Sequence, residues 1–328
     1  MQAAINARML QEVLSFPELI LDALSATPDA SLDREEILFV GMGASGLVGD
    51  YLNAYFTIKH EEISIDVFKQ DVVPIRDAAY IVYSYSGNTV ETLRALHYLL
   101  NHGICPITVS SGGLLEKVSR KHGLIHIKVP SNFQSRSHVP YGVALLSVLI
   151  DPQTKHELIK TAEIIKYLAA DEKFLSSQYK FSSVLVSHSP VMFIVDNMLS
   201  PLATRALNQF SENAKKLVFP AIIPEATHSS LNTVRHEDAF LFIVRRSSAE
   251  PLISRIYEFL DTLDVSKFFL DVDDKSFSWR SLLEPTFVID LLSVFTAERL
   301  NRNAEEISII MRAKQWLKDF NPFENDLL

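Results

Sequence analysis

The sequence predicts an α/β protein made of two domains, each a mostly parallel sheet with helices on both faces, an α-β-α sandwich. Three observations support this prediction. Short apolar runs of strand length alternate with helical stretches in both halves of the chain. The length of 328 residues is about twice that of a typical single domain. Long helical patterns restart after Asp151-Pro152, which predicts domains over residues 1–152 and 153–328.

The elements of the first half follow from hydrophobic periodicity. Apolar residues at helical spacing over positions 5–20 predict one or two leading helices. Strands are predicted at 37–40, 63–67, 80–83, 107–109 and 124–129. Helices are predicted at 47–56, 90–100, 114–122 and 141–149. This alternation is typical of a parallel sheet with crossover helices.

The second half repeats the plan. Helices are predicted at 156–168 and 174–186, and strands at 191–195, 221–223, 240–244 and 268–270. Two consecutive helices are predicted to close the chain, at 285–299 and 304–320.

Composition excludes several classes of protein. A hydrophobic content of 48% and a charged content of 22% are those of an ordinary globular protein. The net charge of -9 argues against a nucleic-acid partner, although a local anion site needs only a local group of donors. Cys105 is the only cysteine, so an internal disulfide and a cysteine-based metal site are excluded. The sequence pattern shows no signal peptide or membrane span, so we expect a cytoplasmic protein without a membrane partner.

A glycine-rich loop follows the first predicted strand. Positions 41–46 read GMGASG, which matches G-x-G-x-x-G and opens a helix. One interpretation is a dinucleotide site, with Asp66 at the end of the next strand as the ribose-binding acid. The other is a tight strand-to-helix turn that needs small residues and holds no ligand.

A hydroxyl-rich loop follows the strand at 80–83. Positions 84–92 read SYSGNTVET and precede a helix. Hydroxyl groups and first-turn N–H groups together supply many neutral donors, which suit a phosphate monoester. A capping box formed by Asn88 and Glu91 is a second interpretation and is compatible with the first. Loops at the carboxyl ends of parallel strands converge on one crevice, and both loops are of this kind.

The two loops together resemble those of the sugar isomerase (SIS) domain family, in which the second loop holds the phosphate of a phosphosugar. Later motifs narrow the resemblance to the bifunctional phosphoglucose/phosphomannose isomerases: QSR at 134–136, ATR at 203–205, SENAK at 211–215, PEATH at 224–228 and Lys314 in the last helix. The chain departs from the family pattern at Ala44, Ser135, Ser211 and Ser229. It also has NAEE at 303–306 where the family has Asp-Pro-Thr-Pro.

The resemblance implies two SIS-type domains and an aldose-ketose isomerase that interconverts glucose 6-phosphate, mannose 6-phosphate or both with fructose 6-phosphate through a cis-enediolate. It implies that Glu212 moves the C2 proton and that His228, from a neighbouring subunit of a homodimer, transfers a proton at the ring oxygen. It also implies that Arg136 stabilises the enediolate and that Lys314 either assists ring opening or binds a substrate hydroxyl. The implied phosphate-binding residues are Gly43, Ser45, Ser84, Ser86, Thr89 and Thr92. No cofactor and no metal are expected.

Two other classes stay open. The altered residues near the charged positions are compatible with a phosphosugar-binding or regulatory protein that does not catalyse a reaction. A NAD-dependent oxidoreductase is the third class, supported only by Asp66 and the glycine-rich loop.

Overall fold

The computed structural model describes residues 6–27, 32, 34–60, 62–234, 239–272 and 276–323, and it confirms the predicted α/β class. Within these residues, nine strands form two sheets in which every neighbouring pair is parallel. The chain packs into two compact units, each with one sheet. We call them the first-sheet unit (Asp22–Lys155 and Ile307–Leu328) and the second-sheet unit (Met1–Leu21 and His156–Glu306).

Each unit is assembled from two separate stretches of chain. The predicted domains, 1–152 and 153–328, are each one continuous stretch, and this division stays a prediction. The first described residues pack in the second-sheet unit because helix α1 (Ala7–Leu14) buries Met9 and Val13, and the ring of Phe16 meets that of Phe287 edge-on at 5.9 Å. The last described residue, Phe323, lies in the core of the first-sheet unit. Burial of these apolar side chains decides where the two described terminal segments pack.

The first-sheet unit contains five strands: β1 (Glu36–Gly41), β2 (Ser64–Phe68), β3 (Ala79–Tyr83), β4 (Ile107–Ser110) and β5 (His126–Lys128). Its helices are α3 (Gly43–Lys59), α4 (Val90–Asn101), α5 (Gly113–Lys121), α6 (Val139–Ile150) and α12 (Ser308–Trp316). The sheet order is β2-β1-β3-β4-β5. Strand β1 is buried from Ile37 to Gly41, as expected for a central strand covered on both faces.

The second-sheet unit contains β6 (Val191–Asp196), β7 (Phe219–Ile223), β8 (Phe240–Arg246) and β9 (Ser266–Val272), in the order β7-β6-β8-β9. Besides α1, its helices include α8 (Glu172–Ser187), α9 (Ser200–Gln209), α10 (Pro251–Thr262) and α11 (Trp279–Arg299). Helices α2 (Phe16–Ala26) and α7 (Thr154–Ala170) cross the points at which the chain passes between units.

Each sheet has one point where the strand order reverses, between β1 and β3 in the first and between β6 and β8 in the second. Ligands of open α/β sheets bind outside the carboxyl ends of the strands at this point. In the second sheet, β6 ends at buried Asp196, whose carboxylate accepts hydrogen bonds from Arg246 at 2.6 Å and from the Tyr257 hydroxyl at 3.0 Å. The first sheet has the hydroxyl-rich loop at this point, so its reversal point is the candidate anion site.

The predicted elements are all present, with ends that differ by up to six residues, the number by which α11 begins before its predicted start at 285. The last predicted helix, 304–320, is replaced by α12 (Ser308–Trp316) and a short 3₁₀ turn (Lys318–Phe320). Among the described residues, no helix combines the length and the apolar character that crossing a bilayer requires.

Candidate functional site

The two predicted loops meet at the reversal point of the first sheet. The loop after β1 leads into α3, and the loop after β3 leads into α4. The Ser45 hydroxyl accepts a hydrogen bond from the backbone N–H of Tyr85 at 3.0 Å, so the two loops are joined directly. Ser45 is buried by this contact, whereas Gly43, the first residue of α3, is exposed and has a φ of 54°.

The glycine-rich loop is a tight turn. A Cβ on Gly46 would lie 2.5 Å from the carbonyl oxygen of Gly41, so the backbone itself occupies the space of a side chain. The interpretation as a tight turn thus accounts for the glycines at 41 and 46 without a ligand.

Hydroxyl groups cluster in the second loop. Buried Ser84 donates a hydrogen bond to Thr89 Oγ1 at 3.0 Å. The Thr92 hydroxyl is also buried, and it has no hydrogen-bond partner among the residues that the structure describes. Ser86 is exposed, and its hydroxyl accepts a weak bond from the Asn88 N–H at 3.3 Å. A buried donor without a partner is rare in native proteins, so Thr92 calls for an explanation.

The predicted capping box of α4 is wrong. The residue that precedes the helix is Thr89, not Asn88, and its side chain makes no capping hydrogen bond. Asn88 instead accepts a hydrogen bond from the N–H of Leu114 at 3.0 Å and donates one to the carbonyl of Ser86 at 3.1 Å. Its amide is therefore committed to the first turn of α5, and it connects the loops after β3 and β4.

The charges at β2 do not match a dinucleotide site. Asp66 lies in the middle of the strand, not at its carboxyl end, and is ion-paired with Arg76. The charged residue directly after β2 is Lys69, which pairs with Asp50 at 2.5 Å. Burial raises the pKa of the Asp50 carboxyl, and the bond from Lys69 opposes that shift. A dinucleotide enzyme has an acidic residue at the end of this strand, which binds the ribose hydroxyl. Here the residue after the strand is a lysine, whose positive charge favours an anion instead.

The segment after β5 brings Arg136 to the same unit. Arg136 is 1% exposed, and so is His138. Tyr85 connects this segment to the hydroxyl-rich loop, because its hydroxyl donates to the carbonyl of Phe133 at 2.9 Å and its ring lies 4.6 Å from that of His138. Burial lowers the pKa of His138 to about 3. The sequence does not predict these contacts; its one local signal is an aromatic residue among the hydroxyls of positions 84–92.

Glu212 lies in the second-sheet unit, in a π-helical turn (Phe210–Ala214) that follows α9. Several hydrogen bonds hold this turn. Among them, Lys215 donates to the carbonyl of Glu212, Asn213 donates to Ser293, and Arg302 donates to the carbonyl of Ala214, each at 2.8 Å. Lys215 has a φ of 49° and ends the turn in a left-handed conformation. Short π-helical turns occur frequently at functional sites, so the geometry favours a role for the half-buried Glu212.

His228 and Lys314 are both exposed. His228 ends a 3₁₀ turn (Glu225–His228) in the second-sheet unit, where the Thr227 hydroxyl donates to the carbonyl of Pro224 at 2.7 Å. Lys314 lies in α12 of the first-sheet unit. The phosphate-loop residues and Arg136 thus share the first-sheet unit with Lys314, and Glu212 shares the second-sheet unit with His228. The roles of all these residues stay predictions.

A parallel sheet of this order, with two loops that meet at its reversal point, defines the class of open α/β proteins whose ligands bind outside the carboxyl ends of the strands. Comparison with known proteins narrows the class. Residues 176–317 match the family described as the bacterial phospho-glucose isomerase C-terminal SIS domain. The resemblance to the SIS domain family that the motifs indicate is thereby confirmed.

Relatives match over most of the chain. The bifunctional phosphoglucose/phosphomannose isomerase of Aquifex aeolicus is 25% identical over 295 residues, which cover 86% of this chain and 90% of that protein. The enzyme of the same name from Aeropyrum pernix is 26% identical over 326 residues, covering 93% of this chain and 96% of that protein. The D-glucosamine-6-phosphate 4-epimerase of Sulfolobus acidocaldarius is 24% identical, covering 91% of this chain and 94% of that protein.

Solved structures support the fold. A hypothetical protein from Thermus thermophilus superimposes with a TM-score of 0.71 at 16% identity, covering 95% of this chain and 90% of that one. The C-terminal domain of glucosamine-fructose-6-phosphate aminotransferase from Francisella tularensis gives a TM-score of 0.69 at 15% identity, covering 88% of this chain and 94% of that one.

Proposed function

We propose that the protein is a phosphosugar isomerase that interconverts glucose 6-phosphate, mannose 6-phosphate or both with fructose 6-phosphate. The proposal is supported by relatives that carry the name of this activity and match about nine-tenths of both chains. The structural observation that carries it is the hydroxyl cluster at the start of α4, where the buried hydroxyl of Thr92 has no partner among the described residues.

A phosphate monoester would satisfy this cluster. Its dianion offers three acceptor oxygens, and the loop offers the hydroxyls of Ser84, Ser86, Thr89 and Thr92 together with the N–H groups of the first turn of α4. The partial positive charge at the start of a twelve-residue helix adds a favourable interaction of about 0.3–1 kcal/mol. Ser45, through its bond to the Tyr85 N–H, would hold the loop in place.

The reaction needs a proton to move between two neighbouring carbons. In the proposed scheme the Glu212 carboxylate removes the proton from C2 of the open-chain aldose, the electron pair forms the C1–C2 double bond of a cis-enediolate, and the same carboxyl returns the proton to C1. Arg136 stabilises the negative charge on the enediolate oxygen. His228, supplied by the neighbouring subunit of a homodimer, transfers a proton at the ring oxygen. Lys314 assists ring opening or binds a substrate hydroxyl.

A non-catalytic phosphosugar-binding protein is the second candidate. The observation that favours it is the set of departures from the isomerase motifs at Ala44, Ser135, Ser211 and Ser229. These residues stand beside the proposed functional residues rather than replacing them, so they leave both candidates open to one experiment.

The experiment is exchange of the C2 proton of glucose 6-phosphate with solvent deuterium, followed by NMR, together with coupled assays for glucose 6-phosphate and mannose 6-phosphate formed from fructose 6-phosphate. We expect turnover by the wild type and a loss of at least about 10²-fold in Glu212→Gln. Glu163→Gln, at an exposed position of α7, is the matched control and should retain wild-type turnover. Ligand protection against thermal unfolding without any exchange would establish the binding protein instead.

A further inference from the structure

We propose that Tyr85 is a positioning residue, which connects the phosphate-binding loops to the segment 131–138 and thereby sets the position of the Arg136 guanidinium. The proposal rests on the proposed function, because it assigns Arg136 a partner role in the reaction. Tyr85 lies between the loop that contains Ser45 and the segment 131–138, and its hydroxyl bonds to the backbone of Phe133.

The two ends of Tyr85 make different connections. Its backbone N–H donates to the hydroxyl of Ser45 in the first loop at 3.0 Å. Its phenolic oxygen donates to the carbonyl of Phe133 at 2.9 Å and accepts the N–H of the same residue at 3.3 Å. One side chain therefore holds the Phe133 backbone at both its donor and its acceptor. Tyr85 is only 8% exposed, so water competes little for these bonds.

From Phe133 the connection passes to Arg136 through a closed turn. The N–H of Ser137 donates to the carbonyl of Gln134 at 2.9 Å, which makes Arg136 the third residue of a four-residue turn. Arg136 is 1% exposed, so its side chain has little freedom to compensate for a displacement of that turn.

The other end of the turn, at His138, is held by residues at the end of β3. The His138 ring lies 4.6 Å from the rings of both Tyr85 and Tyr141, and its Nδ1 shares a hydrogen bond of 3.1 Å with the hydroxyl of Tyr83, the last residue of β3. Phe133 and His138, which flank the turn, are thus both attached to the residues at the end of β3.

In the proposed complex, the Tyr85 side chain would set the distance between the bound phosphate and the Arg136 guanidinium. A substrate held by its phosphate at the start of α4 would present its enediolate oxygen to an arginine whose turn is fixed to the same loop. Removal of the phenolic oxygen should release the turn while leaving Ser84, Thr89 and Thr92 in place. The consequence is a loss in kcat with little change in KM.

Tyr85→Phe tests this inference, because it removes the oxygen and keeps the ring on His138. We expect kcat with fructose 6-phosphate to fall by about tenfold to a hundredfold while KM changes less than about twofold. Tyr98→Phe is the matched control, since the Tyr98 ring also stacks on a histidine, His102, at 4.3 Å. The control should keep both wild-type constants.

A double-mutant cycle with Arg136 separates an effect of Tyr85 on the position of Arg136 from a general loss of stability. In an Arg136→Gln background, Tyr85→Phe should change kcat less than about twofold, because the group that Tyr85 positions is already gone. His138→Gln, which removes the ring contact at the other side of the turn, should show the same split between kcat and KM. Equal losses from Tyr85→Phe in the two backgrounds, or an unchanged kcat, would overturn the proposal.

Hydrogen exchange of the segment 131–138 gives a test that does not depend on turnover. We expect Tyr85→Phe to speed amide exchange in this segment by about tenfold or more relative to wild type, with the exchange of α4 unchanged. If the wild type has no isomerase activity, the proposed function fails while this measurement still decides the connection. Unchanged exchange in the segment would show that Tyr85 does not hold it.

Discussion

Gly87 lies directly against the backbone of Gly112: a Cβ on Gly87 would be 1.8 Å from the Gly112 carbonyl oxygen. The contact brings the hydroxyl-rich loop after β3 against the loop after β4. Asn88 adds a hydrogen bond between the same two loops through the N–H of Leu114. The shape of the candidate phosphate site is therefore fixed by backbone contact as well as by its hydroxyl groups.

The first prediction concerns this contact. Gly87→Ala is expected to lower the free energy of unfolding by about 2–5 kcal/mol, because overlap of the new methyl group with the neighbouring backbone adds to the cost of a left-handed alanine. It should also abolish protection by fructose 6-phosphate against thermal unfolding. Urea titration and thermal melts with and without the ligand measure the two effects.

Gly103→Ala is the matched control for that substitution. Gly103 has a φ of 73°, close to the 67° of Gly87, but nothing lies within 4 Å of its added Cβ. We expect a cost of about 1–2 kcal/mol from the left-handed backbone alone, with ligand protection retained. Equal costs for the two variants would mean that the backbone contact at Gly112 is unimportant.

The second prediction concerns the pH dependence of stability. Burial lowers the pKa of His138 from 6.5 to about 3, so the unfolded chain binds a proton in a range where the folded chain does not. The stability from this group is present in full above pH 6.5 and is lost as the pH falls toward 3. Acidification from pH 7.5 to pH 5 should therefore lower the free energy of unfolding by about 2 kcal/mol.

Urea unfolding of wild type and His138→Gln at these two pH values tests the assignment. The variant should lose about 2 kcal/mol less than the wild type on acidification, although it is less stable at pH 7.5. His122→Gln, at an exposed position after α5, should follow the wild type. A wild-type acid loss that persists in His138→Gln would assign the effect to other groups.

The third prediction concerns the buried ion pair between α9 and α11. Arg205 on α9 donates two hydrogen bonds to Asp290 on α11, at 2.8 and 2.6 Å, and both side chains are at most 3% exposed. Asp290→Asn should lower the free energy of unfolding by about 3–5 kcal/mol, because a buried guanidinium loses its counter-charge. Urea titration of the wild type and of Asp290→Asn measures this difference in the free energy of unfolding.

The surface of the same unit offers a control with matching geometry. Arg245 also donates two hydrogen bonds to one carboxylate, that of Asp271, but the side chains are 38% and 63% exposed. Asp271→Asn should therefore cost less than about 1 kcal/mol. A small cost for Asp290→Asn as well would show that α9 is held by apolar packing alone.

Much of the fold could be predicted from periodicity. Four apolar residues in a row predict strand β1, and the structure shows them fully buried in an interior strand of a parallel sheet. The hydroxyl-rich loop was predicted to follow a strand and open a helix, and it does. Such features depend on residues close together in the chain, so their signal is local.

The features that the sequence did not predict correctly, or did not predict at all, involve partners that are distant in sequence. Asn88 has the composition of a helix cap, yet its side chain binds Leu114, and this choice depends on where the loop after β4 passes. The contact between Tyr85 and Phe133 joins residues 48 positions apart. No local pattern reports such a contact, because it exists only when the strands have taken their places in the sheet.

The sequence alone determined the α/β class, the order of strands and helices, and the hydroxyl groups available to a phosphate, since these follow from residue type and spacing. Only the tertiary structure decided which of those hydroxyls are already bonded, as Ser84 is to Thr89, and which are buried without a partner among the described residues, as Thr92 is. It also decided that Tyr85 joins the loops to the arginine segment. The physical reason is that a hydrogen bond depends on distance and direction in space, and packing brings together groups that the sequence keeps apart.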